Sequence, residues 1–423
     1  MTAGQSSAVA AAVADAHRRE WAFVLAATVR VTRDLDVAEE CAQEAFAAAL
    51  TDWRTSGIPA RPGAWLTTAA RRRALNVLRH EGVERRYLPL LVEDDTVPGP
   101  ADLLDDRSGD DIPDDRLRLV VTCCHPALDR AAQVALTLRL MCGLSTAEVA
   151  RAFLVSEPTM AARITRAKKK IALARIPYRV PGADELPERV DAVLAVVHLL
   201  FTTGHTAPAG DHLVRRDLVE RSVELCRMLR RLLPHEPAVA GLLALLLLTD
   251  ARRETRTGHD GRLLLLEEQD RGRWDQAAIA EGVALVRESL AVRPPSRYAL
   301  QAAIAAVHSE SSRWEDTNWA EIVGLYDLLT QLWPSPVVAL NRAVAVGFAS
   351  GAAAGLAELD ALASEPQLAS YHYLPAARAE QLRRLGRDAE ARQAYTEALF
   401  LTENSVERAF LEGRLQAISP PPT

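Results

Sequence analysis

The residues between Gly143 and Ile171, GLSTAEVARAFLVSEPTMAARITRAKKKI, have the types and spacing to grip a polyanion. Ser145 and Glu148 form a capping box that opens a first short helix, whose Val149, Ala150 and Phe153 can face inward. Ser156 caps a second helix, with Glu157 and Pro158 in a first turn that favours both an acid and a proline. Met160, Ile164, Ala167 and Ile171 recur at helical spacing as a buried seam. Arg163, Arg166, Lys168, Lys169 and Lys170 fall largely off that seam, facing solvent or phosphate. This is a helix-turn-helix pattern, and its basic second helix suits the major groove of DNA. A solvated basic face on an ordinary helical hairpin is the competing reading. Two caps, a short turn and an uncompensated basic helix favour DNA.

Catalytic and metal chemistry find less support. Cys123, Cys124 and His125 with Cys142 invite a zinc site, but adjacent cysteines lack the spacer usual in structural sites. Buried apolar thiols are expected instead. His198, His205, Asp211, His212, Glu267, Glu268 and Asp270 match no metal or nucleophile spacing, and GHTAPAGDH (204–212) reads as a loop. The chain has no Walker-type glycine loop, nucleophile elbow or zinc-protease helix. No enzyme activity, metal or cofactor is therefore expected.

The elements that must position the basic residues are helical. A chain of 423 residues, 49% hydrophobic and rich in alanine, leucine and arginine, calls for two or three folded domains of helical type. The net charge of −6 hides two cationic stretches, at 71–86 and 163–179, behind acids that crowd 93–115 and spread through the C-terminal half. No secretory signal is visible, and the longest aliphatic run, Leu242 to Leu248, is far too short to span a membrane. Five sparse cysteines suit a reducing cytoplasm. Before residue 86 the pattern predicts helices over 13–31, 36–53 and 62–81, the second opened by a capping box of Asp36 and Glu39. Ala38, Cys41, Ala45, Ala48 and Ala49 form its packing side and Glu39, Glu40, Gln43 and Glu44 an acidic, amide-bearing side. Residues 87–113, with four prolines and eight acids, read as a linker.

Three stretches carry a family resemblance. LDVAEECAQEAFAAAL (35–50) and RPGAWLTTAARRRALNVLRHE (61–81), followed by 117–171, resemble a sigma-70-type sigma factor of the extracytoplasmic-function group. The resemblance implies an all-α chain with a region-two domain at 1–86, an acidic linker at 87–113 and a region-four helix-turn-helix at 114–179. It implies core RNA polymerase and promoter DNA as partners. Asp36, Glu39, Glu40, Gln43 and Glu44 would meet the polymerase, offering acceptors to a basic helix; a solvated surface helix is the alternative. Arg71, Arg72, Arg73 and Arg79 would hold the minus-ten backbone, and Asn76 and Trp65 an unpaired base, although Trp65 also fits a core position. In region four, Glu157, Thr159, Ala162 and Arg163 would stand at base edges of the minus-thirty-five element, with the capping Ser156 among the residues that bind it. Arg166, Lys168 and Lys169 would contact phosphates.

The remainder, 181–423, is similar to the long C-terminal extension of one such subgroup, through DARRETR (250–256), LLEEQDRGRWDQAAIAEG (265–282) and SPVVALNRAVAV (335–346). LRRLGRDAEARQAYTEALFLT (382–402) reads as a tetratricopeptide-like unit turning at Gly386, with Ala391, Tyr395 and Ala398 inward. One repeat of 34 residues upstream, Ala345 matches Ala379 and Ala357 matches Ala391, across a longer turn at Ser350 and Gly351. A generic helical bundle is the alternative. Stacked helical pairs suit a protein or peptide partner, and a tethered domain is placed to regulate the first half in cis. A one-component DNA-binding regulator with a sensing repeat domain is the competing reading of the whole chain.

Overall fold

The computed structural model describes residues 3–87, 115–153, 155–182, 184–207 and 209–418. The acidic linker expected at 87–113 lies, apart from Tyr87, outside the described residues. The fold is all-α: the described residues hold eighteen α-helices and one pair of two-residue strands. The chain divides into two compact units, 1–196 and 197–423.

The first unit opens with three packed helices, α1 (Ala3–Thr32), α2 (Leu35–Ser56) and α3 (Pro62–Tyr87). α1 and α3 run beyond the expected limits, and α2 starts differently. Its N-cap is Asp34, whose carboxylate accepts from the backbone of Asp36 (2.8 Å) and Val37 (3.0 Å). The capping box expected from Asp36 and Glu39 is not formed, which leaves both of those carboxylates free for other partners. Small residues let the three helices approach closely: Ala38, Ala42, Ala45 and Ala49 are all fully buried. The same unit continues with α4 (Asp115–Cys123), α5 (Arg130–Leu136), a π turn at Thr137–Met141, α6 (Thr146–Ala152) and α7 (Glu157–Leu173). It closes on the first part of α8 (Leu186–His205).

The second unit is built on α10 (Pro237–Asp250), in which every residue from Val239 to Leu248 is buried. A helix apolar all round must be central, and here it packs against α9 (Arg216–Leu232), α11 (Gln276–Leu290) and α12 (Arg297–Glu310). Successive hairpins follow: α13 (Trp319–Leu332) with α14 (Pro336–Ala349), α15 (Ala352–Ala361) with α16 (Tyr373–Arg384), and α17 (Asp388–Leu401) with α18 (Ser405–Ala417). The GHTAPAGDH segment is tied to the far end of this unit. Strand β1 (Ala209–Gly210) pairs in parallel with β2 (Glu403–Asn404), and the buried Asn404 amide donates to the carbonyls of Ala207 (3.0 Å) and His212 (3.1 Å).

Ala391, Tyr395 and Ala398 are buried as read from the sequence, and Gly386 takes the left-handed turn (φ +71°). Ala345 and Ala379 are both buried, but Ala357 is exposed. The turn at Ser350 and Gly351 is shorter than its downstream counterpart, which moves the inward position to Gly355. There α14 and α15 touch backbone to backbone: a Cβ on Gly355 would stand 2.6 Å from Gly347 Cα. Gly355→Ala is therefore expected to destabilise the second unit. The propensity gain of about 1 kcal/mol is outweighed by a clash of about 1–3 kcal/mol with atoms that cannot step aside. Chemical denaturation checks this; a stabilised variant would refute the backbone contact.

Candidate nucleic-acid interface

The helix-turn-helix is built as its caps require. Ser145 N donates to Glu148 Oε2 (2.7 Å) and Glu148 N donates to Ser145 Oγ (3.2 Å), the two halves of a capping box. Ser156 Oγ accepts from Thr159 N (3.4 Å) at the start of α7. Met160, Ile164, Ala167 and Ile171 are buried. Ser156, Glu157, Thr159 and Ala162 are exposed on the opening turns of α7, while Arg166 and Lys169 are exposed further along. Arg163 is half-buried, its guanidinium 5.4 Å from the Phe153 ring centroid, so the first helix steadies the arginine of the second.

On α2, Asp36, Glu40, Gln43 and Glu44 are exposed. On α3, Arg72, Asn76 and Arg79 are exposed, with Arg79 Nη1 donating to Asn76 Oδ1 (3.2 Å). Arg71 and Arg73 are half-buried, and Arg73 forms an ion pair with Glu44. Trp65 is half-buried and stands edge-on to Trp53, with centroids 5.7 Å apart.

Two residues are placed differently from the sequence reading. Lys168, read as facing solvent or phosphate, is only 9% exposed. Glu39, read as part of the open acidic face, is 6% exposed. They meet each other: Lys168 Nζ lies 2.6 Å from Glu39 Oε2 and 2.7 Å from Asp36 Oδ1. Arg139, on the π turn, forms a second ion pair with Glu39, and Gln43 Nε2 donates to Glu39 Oε1 (3.2 Å). The reason is geometric. Lys168 follows Ala167 on the margin of the seam, and the α2 carboxylates lie across from that margin. Burial alone would lower the Lys168 ammonium, but Glu39 and Asp36 outweigh it and hold its pKa above the ordinary lysine value.

An apolar contact completes this clasp. Trp21 of α1 is 3% exposed, and its indole N–H donates to the carbonyl of Leu140 on the π turn (3.1 Å). Gly143 follows with φ +69°, and a Cβ there would come within 3.0 Å of Trp21 Cγ. Further along, the Tyr178 hydroxyl is directed at the carbonyls of Ala26 (3.1 Å) and Asp115 (3.2 Å). Trp21, Arg139 and Tyr178 were not singled out by the sequence reading. Their partners are distant in the chain, and no local pattern marks them.

Glu268 and Asp270, considered for catalysis or metal binding, take structural roles. Glu268 accepts from Leu265 N (2.7 Å) and pairs with Arg262 (3.1 Å), and Asp270 caps Gly272 N (3.0 Å). All five cysteines are buried, and burial pushes the Cys124 thiol up to about 12, far from a thiolate. Among the described residues no group of three or more His, Cys, Asp or Glu side chains could hold a metal ion, and no helix is long and apolar enough to cross a membrane.

Comparison with known proteins resolves what these helices are. Residues 17–83 match Sigma-70 region 2, and residues 118–171 match Sigma-70, region 4. The chain belongs to the sigma-70 family. These two regions support a sigma-factor-type role in transcription initiation, with RNA polymerase and promoter DNA as the partners they imply. Proteins of the family are transcription factors and not enzymes. The C-terminal extension matches, over residues 189–290, a family of unknown function, DUF6596. An uncharacterized protein of Rhizobium meliloti (strain 1021) is 41% identical over 398 residues, spanning 94% of each chain. No solved structure matches. In these terms the clasp joins sigma region 2, through Trp21, Asp36 and Glu39, to sigma region 4, through Arg139, Leu140 and Lys168.

Proposed function

We propose that this chain is an extracytoplasmic-function-type sigma factor that binds core RNA polymerase and directs promoter-specific initiation, with a tetratricopeptide-like C-terminal half regulating it in cis. The observation that carries the reading is the exposed face of α2 lying beside the basic face of α3 in the same chain as a capped recognition helix. A one-component regulator would need the recognition helix but has no use for a region-2 docking surface. Within the proposal, Asp36, Glu39, Glu40, Gln43 and Glu44 engage polymerase. Trp65, Arg71, Arg72, Arg73, Asn76 and Arg79 engage the minus-ten strand. Ser156, Glu157, Thr159, Ala162, Arg163, Arg166 and Lys169 engage the minus-thirty-five duplex, joined by Lys168 once it is released.

The clasp sets a condition on this activity. About 25 base pairs separate the two promoter elements, roughly 85 Å at 3.4 Å per step. Regions held together by ion pairs of 2.6 and 2.7 Å cannot read both elements at once. The closed arrangement is thus the resting form, and initiation requires it to open. Run-off transcription with core polymerase, comparing the full chain with residues 1–180, tests the proposal. Failure of both forms to associate with core enzyme would end it, and equal activity of both would end the role of the extension.

Base and phosphate contacts separate cleanly in a binding series. Arg163→Ala is expected to cost about 1–3 kcal/mol at one base position, whereas Lys169→Ala weakens all sequences alike and lowers the salt slope by about one. Uniform loss for both variants would refute the division.

A further inference from the structure

The second unit gathers two arginines and a histidine at one end of its central helices. A Cβ on Gly241 would stand 2.8 Å from Ala299 N, so α10 and α12 touch near their beginnings. α11 runs back between them, with Gly282 against Leu248. α10 and α12 are therefore parallel, and both finish at the same end. There Arg252 follows α10, His308 sits in the last turn of α12, and a short turn at Arg271–Arg273 lies across them.

Arg271 is fixed in place. Its Nη1 donates to the carbonyls of His308 (2.5 Å) and Ser311 (2.8 Å), its guanidinium lies 5.0 Å from the Trp274 ring centroid, and the Trp274 indole donates to Thr255 Oγ1 (2.9 Å). Its Nη2 is buried without a hydrogen-bond partner, as is His308 Nδ1. Near α9 in sequence, His205 is 8% exposed, stacked on Phe201 at 5.3 Å, with neither ring nitrogen bonded. Arg252 is half-buried, and its side chain makes no hydrogen bond or ion pair among the described residues.

The neighbouring carboxylates are mostly committed elsewhere. Asp250 binds Arg253 through both oxygens (2.7 and 2.5 Å), Glu254 binds Arg216 (2.6 Å), and Glu407 binds Tyr373 (2.5 Å) and His372 (3.4 Å). Asp316, near Arg271, is held by Arg313 (3.2 Å), and Glu315 stands near Arg271. Burial and then Arg271 bring the Arg252 guanidinium down to about 10, and burial with Arg252 and Arg271 brings His308 down to about 4. A guanidinium left in such surroundings without a counter-charge is costly.

We propose that Arg252, Arg271 and His308 form a binding site for a phosphate-type oxyanion, free or carried on a small metabolite. The guanidinium of Arg252 presents a planar fork that matches two oxygens of such a group. Arg271 Nη2 and His308 Nδ1 supply separate donors for the others, and neutral His308 donates through Nδ1–H. A site of this kind gives the C-terminal half a small-molecule input that does not depend on the DNA-binding half.

Thermal unfolding and calorimetric titration of the full chain test this, with inorganic phosphate, acetate and chloride as probes at equal ionic strength. Phosphate is expected to bind saturably and raise the unfolding temperature, with acetate weaker and chloride inert. Arg252→Gln is expected to weaken phosphate at least about tenfold while unfolding, without phosphate, no lower than the parent chain, because an uncompensated charge has gone. His308→Gln serves as a second variant and is expected to weaken phosphate in the same direction. Absence of saturable phosphate binding, or equal binding by the parent and both variants, overturns the site. Acetate binding as tightly as phosphate overturns the phosphate-type assignment. Phosphate bound to a metabolite is distinguished from free phosphate by repeating the titration with sugar phosphates and nucleotides.

Discussion

Under the proposed function, Lys168→Glu is expected to separate sigma region 2 from sigma region 4 and to increase the affinity of the chain for core polymerase. In the closed form Lys168 neutralises two carboxylates, at 2.6 and 2.7 Å, and is itself almost wholly out of water. Removing one partner of a buried pair costs about 3–5 kcal/mol, because the charge left behind has lost both water and counterion. Reversal adds a third carboxylate to Asp36 and Glu39, with Arg139 as the remaining cation at Glu39. A change of that size moves a two-state equilibrium by about two to nearly four powers of ten. Small-angle scattering should report a larger radius, and polymerase binding should tighten even though a cation has been removed. Arg166→Glu is the control: the same charge change on an exposed position of α7 should weaken DNA binding and leave the radius alone. Unchanged dimensions for Lys168→Glu would show that the clasp does not hold the regions together.

The pH dependence of this contact has a definite sign. The Lys168 pKa is raised in the folded state, so its contribution is fully present below the ordinary lysine value of 10.5 and fades as pH rises past it. On the lysine side, then, the clasp is indifferent to pH across the neutral range. On this side, opening comes from a competing partner and not from proton loss by the lysine.

Trp21→Ala should cost about 3–5 kcal/mol, the range for emptying a buried tryptophan site. The indole is 3% exposed, rests against His17 (4.9 Å) and Phe46 (5.8 Å), and closes on Gly143. Its loss also strips the Leu140 carbonyl of its donor, a buried acceptor worth about 1–3 kcal/mol when left unsatisfied. Because the ring belongs to region 2 and its acceptor to region 4, the variant should unfold with separate transitions where the parent shows coupled ones. A single transition at the parent midpoint would mean that the indole is not part of the contact between the regions.

Much of the architecture was legible from local chemistry. The caps at Ser145 and Ser156, the seam of Met160, Ile164, Ala167 and Ile171, and the inward Ala391, Tyr395 and Ala398 follow from patterns contained within one or two helical turns. The start of α2 was misread because Asp34 and Asp36 are both competent caps, and only the backbone geometry at Asp34 decides between them. The repeat register slipped because the turn at Ser350 and Gly351 is shorter than its counterpart, which periodicity cannot reveal. The burial of Lys168 and Glu39 was out of reach for a different reason. A lysine in a run of three reads as solvated unless its partner is known, and that partner lies 129 residues away. The exposed face of α2 and the exposed opening turns of α7 are where composition placed them.

Lys168 and Glu39 are each other's counterion, and this has a thermodynamic corollary. Under the proposed function, the polymerase surface that takes Glu39 and the promoter phosphates that take Lys168 compete with the same internal bond. Whichever arrives first bears the expense of parting them, and the second finds its site already vacated. The two macromolecules thus assist one another through the chain without touching, and linkage requires the assistance to be equal in both directions. Each alone should bind weakly, reduced by the fraction of chains that stand open.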